Sequence, residues 1–166
     1  MMSRRTFLGS TALAGILAAA GIATRDGDAS AADGAFEIVK SDAEWKAELT
    51  PDQYYVLRKH GTERAGSSPL DREKRAGRFH CAGCGLPLFS SETKYDSGTG
   101  WPSFWAPLDN AIGTSEDRSF FMVRTEVHCR RCGGHLGHVF EDGPKPTGLR
   151  YCMNGAAMTF TPSDAA

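Results

Sequence analysis

Residues 81–88 read CAGCGLPL, and residues 129–136 read CRRCGGHL. Both stretches contain Cys-x-x-Cys-Gly, so each places two thiolates on one tight turn that a glycine can close. Four thiolates from two such turns are the tetrahedral ligand set that Zn²⁺ prefers. The repeat therefore predicts one structural zinc ion per chain, which joins two hairpins of a larger sheet and is held by Cys81, Cys84, Cys129 and Cys132.

Two other interpretations of these four cysteines stay open. Disulfides would suit a protein in an oxidising compartment, and a Cys-x-x-Cys pair can also be a redox-active dithiol. The duplicated spacing favours zinc over both. Because a Cys₄ site has no open coordination position, the predicted zinc would stabilise the fold and leave the chemistry to other residues.

Alternating side chains predict strands around the two turns. The clearest predicted strand covers residues 119–129, where Val127 and Glu126 fall on opposite faces, and another covers residues 149–154. Glycine and proline punctuate the chain between the predicted strands, which indicates short strands and dense turns. This pattern predicts a mainly β domain that is mostly antiparallel.

Two short helices are predicted before the strands. Ser41 begins a capping box and a helix through Leu49. Thr50, with a proline after it, is a second N-cap for a helix over residues 51–60. Gly61 is then expected to supply the left-handed residue that ends this helix.

The first 31 residues have the pattern of an export signal. Arg4 and Arg5 precede an uncharged stretch over residues 7–23, rich in alanine, glycine and leucine, and residues 29–31 read ASA, a small-residue cleavage motif. The paired arginines resemble a twin-arginine signal. We therefore expect residues 1–31 to direct export to the periplasm and residues 32–166 to form a single domain.

Composition excludes two classes of function. The 166 residues include 19 basic and 20 acidic side chains, so the chain lacks the positive charge that nucleic-acid binding requires. No apolar run reaches the roughly 20 residues of a membrane span. We expect a monomer that binds no nucleic acid and has no stable membrane span.

Cys152 is the cysteine left outside the repeat. In the predicted strand it shares a face with Arg150 and Asn154, opposite Leu149, Tyr151 and Met153. A cysteine beside an arginine can have its thiolate favoured, so Cys152 is a candidate nucleophile. The alternative is an unreactive core cysteine.

His135 and His138 follow the second turn and are candidate proton donors. They could instead be structural residues or ligands of a second metal ion. Trp101 lies in the aromatic loop GWPSFW at residues 100–105, which suits either core packing or a pocket for a small apolar group.

Taken together, the motifs resemble the B-type methionine sulfoxide reductases, which reduce the R epimer. The resemblance covers residues 38–162 and rests, beside the two cysteine turns, on LTP at 49–51, GTER at 61–64, KYDSGTGWPSF at 94–104, HLGHVF at 135–140 and RYCMN at 150–154. It implies two antiparallel sheets with N-terminal helices and a zinc ion on the two turns.

The resemblance also implies a role for each candidate residue. Cys152 would attack the sulfur of methionine sulfoxide in an oxidised protein or peptide and become a sulfenic acid. His138, assisted by His135, would protonate the leaving oxygen. Arg150 and Asn154 would orient the site, and Trp101 would receive the S-methyl group.

Two positions depart from the family pattern. Thr99 occupies the position where many relatives have a resolving cysteine, so we expect an external thiol to reduce the sulfenic acid. Ala65 and Gly66 stand where relatives commonly have Pro-Phe, which predicts a local change of the loop.

Two rival functions remain at this stage. One is a non-catalytic zinc-knuckle interaction module, which would leave Cys152 and the histidine pair unexplained. The other is a metalloenzyme with His135, His138 and Cys152 as ligands, which would hold two metal ions per chain instead of one.

Overall fold

The computed structural model describes residues 36–119 and 122–163, so the predicted export signal over residues 1–31 lies outside the described residues. Within these ranges two short helices precede nine strands in two antiparallel sheets, as the sequence predicts. The strands are β1 Gly77–Cys81, β2 Pro87–Ser90, β3 Lys94–Tyr95, β4 Ser103–Phe104, β5 Ile112–Asp117, β6 Arg124–Cys129, β7 His135–Phe140, β8 Arg150–Met153 and β9 Met158–Pro162.

Helix α1 spans Asp42–Glu48 and helix α2 spans Pro51–Lys59. Both predicted capping boxes are present, because the side chains of Ser41 and Thr50 each accept a backbone N–H in the first turn. The predicted end of α2 was wrong by one residue. His60, with φ 53°, is the left-handed residue, while Gly61 packs against the Tyr55 ring, which an added Cβ would displace.

The core lies where the two sheets face each other. The smaller sheet has the order β2-β1-β9 and the larger one β3-β4-β8-β7-β6-β5. Phe79 and Phe89 of the smaller sheet pack on Phe104 of the larger, with ring centroids 5.0 and 4.3 Å away. All three rings are fully buried, so apolar packing joins the two sheets at this contact.

The register of the larger sheet aligns a row of polar side chains across its strands. Cys152 in β8 lies opposite His138 in β7, and His138 lies opposite Glu126 in β6. Residues directly opposite in an antiparallel pair point to the same face of the sheet. The row is therefore on one face, and it consists of Tyr95, Ser103, Cys152, His138, Glu126 and Ser115.

A bulge in the β6–β7 pair brings His135 to the same face. In a regular strand, residues three apart point to opposite faces, so His135 and His138 would diverge. Here the register shifts between Val127 and His128, so that His135 lies opposite His128. The extra residue on β7 returns the His135 side chain to the His138 face, where the two rings lie 5.4 Å apart.

One predicted strand is shorter in the structure, and one strand was not predicted. The predicted strand over residues 119–129 forms only from Arg124 to Cys129, and residues 120 and 121 lie outside the described part. Strand β5, Ile112–Asp117, was missed because its residues are mostly exposed and polar. The predicted alternation in β8 is confirmed by Met153, which is fully buried and lies next to Cys152 on the opposite face.

No helix within residues 36–119 and 122–163 is long and apolar enough to cross a bilayer.

Candidate active site and metal centre

The two cysteine turns meet between the sheets. Cys81 ends β1 of the smaller sheet and Cys129 ends β6 of the larger. Sγ of Cys81 lies 3.7 Å from Sγ of Cys132, Sγ of Cys84 lies 3.5 Å from Sγ of Cys129, and all four sulfur atoms are within 4.8 Å of one another. Tetrahedral Zn–S bonds of about 2.3 Å place sulfur atoms about 3.8 Å apart, so these residues fit a zinc ion.

The repeated sequence gives a repeated turn. In each turn the residue after the second cysteine is a left-handed glycine, Gly85 with φ 71° or Gly133 with φ 67°. Each of these glycines donates its N–H to the carbonyl oxygen of the first cysteine of its turn, at 2.8 Å. The side chain of Arg58 in helix α2 donates to the carbonyl oxygen of Cys132, and that of Arg131 donates to the carbonyl oxygen of Cys84, which ties the two turns to each other.

A cavity of about 140 Å³ opens beside Cys152 and His138. It is lined by Thr62, Trp101, Arg124, Gly137, His138, Phe140, Cys152 and Asn154. A Cβ at Gly137 would lie 2.1 Å from the carbonyl oxygen of Cys152, so β7 approaches β8 at this point only because the residue is glycine. Four of the predicted site residues, Cys152, His138, Asn154 and Trp101, thus share one cavity, while His135 and Arg150 are not among its lining residues.

The thiol of Cys152 is half-buried and close to Thr99. Its Sγ lies 3.9 Å from the hydroxyl oxygen of Thr99. Burial raises the pKa of Cys152 above its ordinary value, while the Thr99 hydroxyl and the Arg150 charge act in the opposite direction. Arg150 thus favours the thiolate, as the sequence predicts, but desolvation, which the sequence does not reveal, outweighs this charge.

Arg150 is held in place by a carboxylate and a ring. Its Nε and Nη2 donate to the two oxygens of Asp142 at 2.8 and 2.7 Å, and its guanidinium lies 4.4 Å from the centroid of the Phe140 ring. The guanidinium is therefore a fixed positive charge two residues before Cys152 on the same strand.

His138 makes a hydrogen bond that the sequence does not reveal. Its Nε2 lies 2.7 Å from Oδ2 of Asp117, which also accepts from Arg124 at 2.6 Å. Burial lowers the pKa of His138, and the hydrogen bond to Asp117 opposes that effect. Hydrogen bonds from Ser119 and His138 hold the pKa of Asp117 well below its usual range, so Asp117 is an anion that orients the ring.

His135 belongs to a second hydrogen-bonded group. Nδ1 of His135 and Nδ1 of His60 lie 2.7 and 3.0 Å from the same carboxylate oxygen of Glu126, and Ser115 donates to the other oxygen at 2.6 Å. Although burial opposes it, hydrogen bonding from His135, His60 and Ser115 holds the pKa of Glu126 well below its usual range. Glu126 is thus a buried, ionised carboxylate that fixes the His135 ring.

The geometry does not support a metal ion on His135, His138 and Cys152. In the described part of the chain, the groups that place three or more metal-ligating atoms together are the four cysteines and the His60–Glu126–His135 group. In the latter, hydrogen bonds to one carboxylate account for the contacts without an ion.

Sequence reasoning missed three residues of the site. Glu126 alternates with Val127 as a solvent-facing residue would, and Asp117 lies on the strand that was not predicted. Glu63 belongs to the GTER motif and contacts both Asn154 and Trp101. The motif was the available signal for Glu63, whereas the two acidic residues needed the sheet register.

Comparison with known proteins supports the resemblance stated above. Residues 49–162 match the family model described as the SelR domain. The chain is 55% identical over 126 residues to the peptide methionine sulfoxide reductase MsrB of Leptospira interrogans, covering 75% of this chain and 96% of that protein. Identity to the MsrB protein of Agrobacterium fabrum is 53% over 127 residues, covering 76% and 94%.

An archaeal relative shows the same extent of similarity. The MsrB protein of Methanosarcina mazei is 56% identical over 126 residues, which cover 75% of this chain and 90% of that protein. The domain match spans more than half of the chain, and these relatives match it over nearly their whole length. The chain therefore belongs to the SelR-domain family of MsrB-type peptide methionine sulfoxide reductases.

Proposed function

We propose that this enzyme reduces the R epimer of methionine sulfoxide in oxidised proteins or peptides, with Cys152 as the nucleophile. The observation that carries the proposal is the direct cross-strand pairing of Cys152 with His138 at the wall of one small cavity. A nucleophile and a proton donor are thereby within reach of one bound sulfoxide. The names of the relatives support the same substrate class.

The chemical step balances with one thiolate and one proton. The thiolate of Cys152 attacks the sulfoxide sulfur and forms an S–S bond while the sulfoxide oxygen takes up a proton. The protonated oxygen then moves to the sulfur of Cys152, which breaks the S–O and S–S bonds to the substrate sulfur and leaves a sulfenic acid on Cys152. The substrate is reduced to methionine while Cys152 is oxidised, and one proton is consumed at the oxygen. In the imidazolium form of His138, Nε2–H remains on Asp117 and Nδ1–H is the proton that can be donated.

Stereochemical selection would follow from two fixed walls. Trp101 would receive the S-methyl group, and the ring of His138 would face the oxygen. With the methyl group and the oxygen each assigned to one side, only one epimer presents its sulfur to Cys152. Asn154, which is 3% exposed, would fix the remaining side of the cavity, and Arg150 would supply the charge that partly offsets burial of the thiol.

Recycling of the enzyme requires a thiol from outside. The side chain beside Sγ of Cys152 is the hydroxyl of Thr99, which cannot form a disulfide. We infer that one external thiol condenses with the sulfenic acid and releases water, and that a second external thiol displaces the first as a disulfide. The product of this exchange is the free thiol of Cys152.

We further propose that the four cysteines bind one structural zinc ion. The support is the convergence of four sulfur atoms at distances that suit tetrahedral coordination. Bound zinc would join the smaller sheet to the larger one and would take no part in the reduction, because the four cysteines fill its coordination sphere.

Export to the periplasm by the twin-arginine route is a further proposal. It is supported by the sequence of residues 1–31, in which Arg4 and Arg5 precede an uncharged stretch. That route carries folded proteins, so zinc could bind while the thiols are still reduced.

Turnover on separate R and S epimers of a methionine sulfoxide peptide, with dithiothreitol as reductant, tests the reaction. We expect turnover of the R epimer alone, and a loss of about 10³-fold or more in Cys152→Ser because the nucleophile is removed. Cys152→Ser should keep its circular dichroism spectrum and zinc content. Absence of turnover from folded, zinc-loaded wild-type protein would favour the interaction-module alternative.

The pH dependence of Cys152 alkylation tests the charge of Arg150. Arg150→Gln should move the alkylation midpoint to higher pH, because a positive charge that lowers the thiol pKa is lost. The rate is followed by mass spectrometry of the peptide that contains Cys152. Arg75→Gln, which breaks a similar ion pair with Glu73, is the matched control and should not move the midpoint. A midpoint common to all three proteins would refute this role.

Metal analysis tests the zinc proposal. Purified protein should contain about one zinc per chain, and Cys84→Ser should lose it together with about 10 °C or more of thermal stability. Cys152→Ser is the control for loss of a cysteine and should retain the metal. Wild-type protein without zinc and without titratable thiols at the four positions would support disulfides instead.

Fractionation of cells that express the full chain tests export. Replacing Arg4 and Arg5 together by lysine should leave the protein in the cytoplasm, because the paired arginines are the recognised feature. Arg25→Lys, just beyond the uncharged stretch, is the control and should be exported normally. Export of both variants would argue against the twin-arginine route.

A further inference from the structure

Glu63 uses its backbone and its side chain to join parts of the chain that form the cavity. It lies in the segment of residues 61–68 that follows helix α2, outside the residues that line the cavity. Its N–H donates to Oδ1 of Asn154 at 3.0 Å, and its carbonyl oxygen accepts the indole N–H of Trp101 at 3.1 Å. The backbone of Glu63 therefore hydrogen-bonds to two walls of the cavity, to Asn154 through its N–H and to Trp101 through its carbonyl oxygen.

The carboxylate of Glu63 performs a capping task that Asn154 leaves undone. Asn154 is the N-cap residue of the 3₁₀ turn Gly155–Ala157, but its side chain makes no capping hydrogen bond. Oε1 and Oε2 of Glu63 instead accept the N–H groups of Gly155 and Ala156 at 2.6 and 2.8 Å. A charged acceptor on two orphan N–H groups is a strong cap.

Because Glu63 caps the turn, the side chain of Asn154 is free to bond elsewhere. Because its amide is not used on the turn, Asn154 can donate through Nδ2 to the carbonyl oxygen of Leu136 at 3.0 Å and accept from the N–H of Glu63. The side chain is thus fixed between β7 and the 61–68 segment, with 3% of its surface exposed. An Asn154 side chain that capped its own turn could not hold this position.

The 61–68 segment is also packed tightly against the turn that precedes Trp101. The N–H of Gly66 donates to the carbonyl oxygen of Gly100 at 2.7 Å, and a Cβ at Gly100 would lie 2.9 Å from the Gly66 nitrogen. On the other side, a Cβ at Gly155 would lie 1.9 Å from Oγ of Ser68. Movement of this segment would therefore displace both the Trp101 wall and the Asn154 wall.

We propose that Glu63 is a positioning residue that sets the separation of Trp101 and Asn154 and thereby the fit of the methyl sulfoxide group. The effect on catalysis rests on the proposed function, whereas the claim that Glu63 holds Trp101 and Asn154 does not depend on the reaction. It predicts that loss of the carboxylate widens the cavity and weakens substrate binding while the thiol chemistry of Cys152 is preserved.

The first measurement does not depend on turnover. Hydrogen exchange of the Trp101 indole N–H, assigned by its disappearance in Trp101→Phe, should be about tenfold faster in Glu63→Ala, because the carbonyl that accepts it is no longer held. Glu63→Gln keeps the side-chain length and one acceptor oxygen, so it should give an intermediate rate. Arg64→Ala, at the exposed neighbouring position, is the matched control and should exchange as the wild type does.

The second measurement separates positioning from a general loss of stability. Glu63→Ala should raise KM for a methionine-R-sulfoxide peptide about tenfold with a smaller change in kcat. The reason is that Glu63 holds Trp101 and Asn154, the walls that bind the substrate in the cavity. The alkylation rate of Cys152 should stay at the wild-type value. In a Trp101→Phe background the effect of Glu63→Ala on KM should shrink, because the indole hydrogen bond is already absent.

The outcomes distinguish this proposal from the proposed function. If the wild type turns over and both Glu63 variants match it in KM and in indole exchange, the role of Glu63 is refuted and the reaction stands. If the wild type shows no turnover, the reaction fails, and indole exchange alone decides whether Glu63 holds Trp101. If Glu63→Ala does not fold, Glu63→Gln is measured in its place, and wild-type exchange in that variant refutes the proposal.

Discussion

The register of the larger sheet is the constraint on which the candidate site depends. Side chains that are directly opposite on neighbouring antiparallel strands lie about 5 Å apart on the same face. Cys152, His138 and Glu126 are brought together in this way although they are far apart in the chain. A shift of one residue in the pairing of β7 with β8 would turn one of these side chains to the opposite face and dismantle the site.

The bulge on β7 extends this arrangement to His135. A regular strand would have used only one histidine of the HLGHVF motif at the site. The extra residue lets Leu136 stay fully buried in the core while His135 and His138 both face the polar row. One irregularity in the ladder thus brings a second imidazole within reach of Glu126, which the regular register already places on this face.

Burial and charge act against each other at the two reacting groups. Removal from water raises the pKa of Cys152 and lowers that of His138, so both groups are pushed toward their neutral forms. Arg150 opposes the shift at the thiol, and Asp117 opposes it at the imidazole. Burial shapes the cavity for a small apolar group, and it also disfavours the charged forms of both reacting groups. Arg150 and Asp117 counter this second effect.

The sequence alone determined the features that depend on local chemistry. The capping residues at Ser41 and Thr50, the two cysteine turns and the face shared by Cys152 and Arg150 each follow from spacing within a few residues. The tertiary structure decided what depends on long-range pairing: the buried state of Glu126, the hydrogen bond of Asp117 to His138, and the clamp of Glu63 on Asn154 and Trp101. The net direction of the Cys152 pKa belongs to this second group, because desolvation is a property of the assembled sheets and not of the strand that contains the residue.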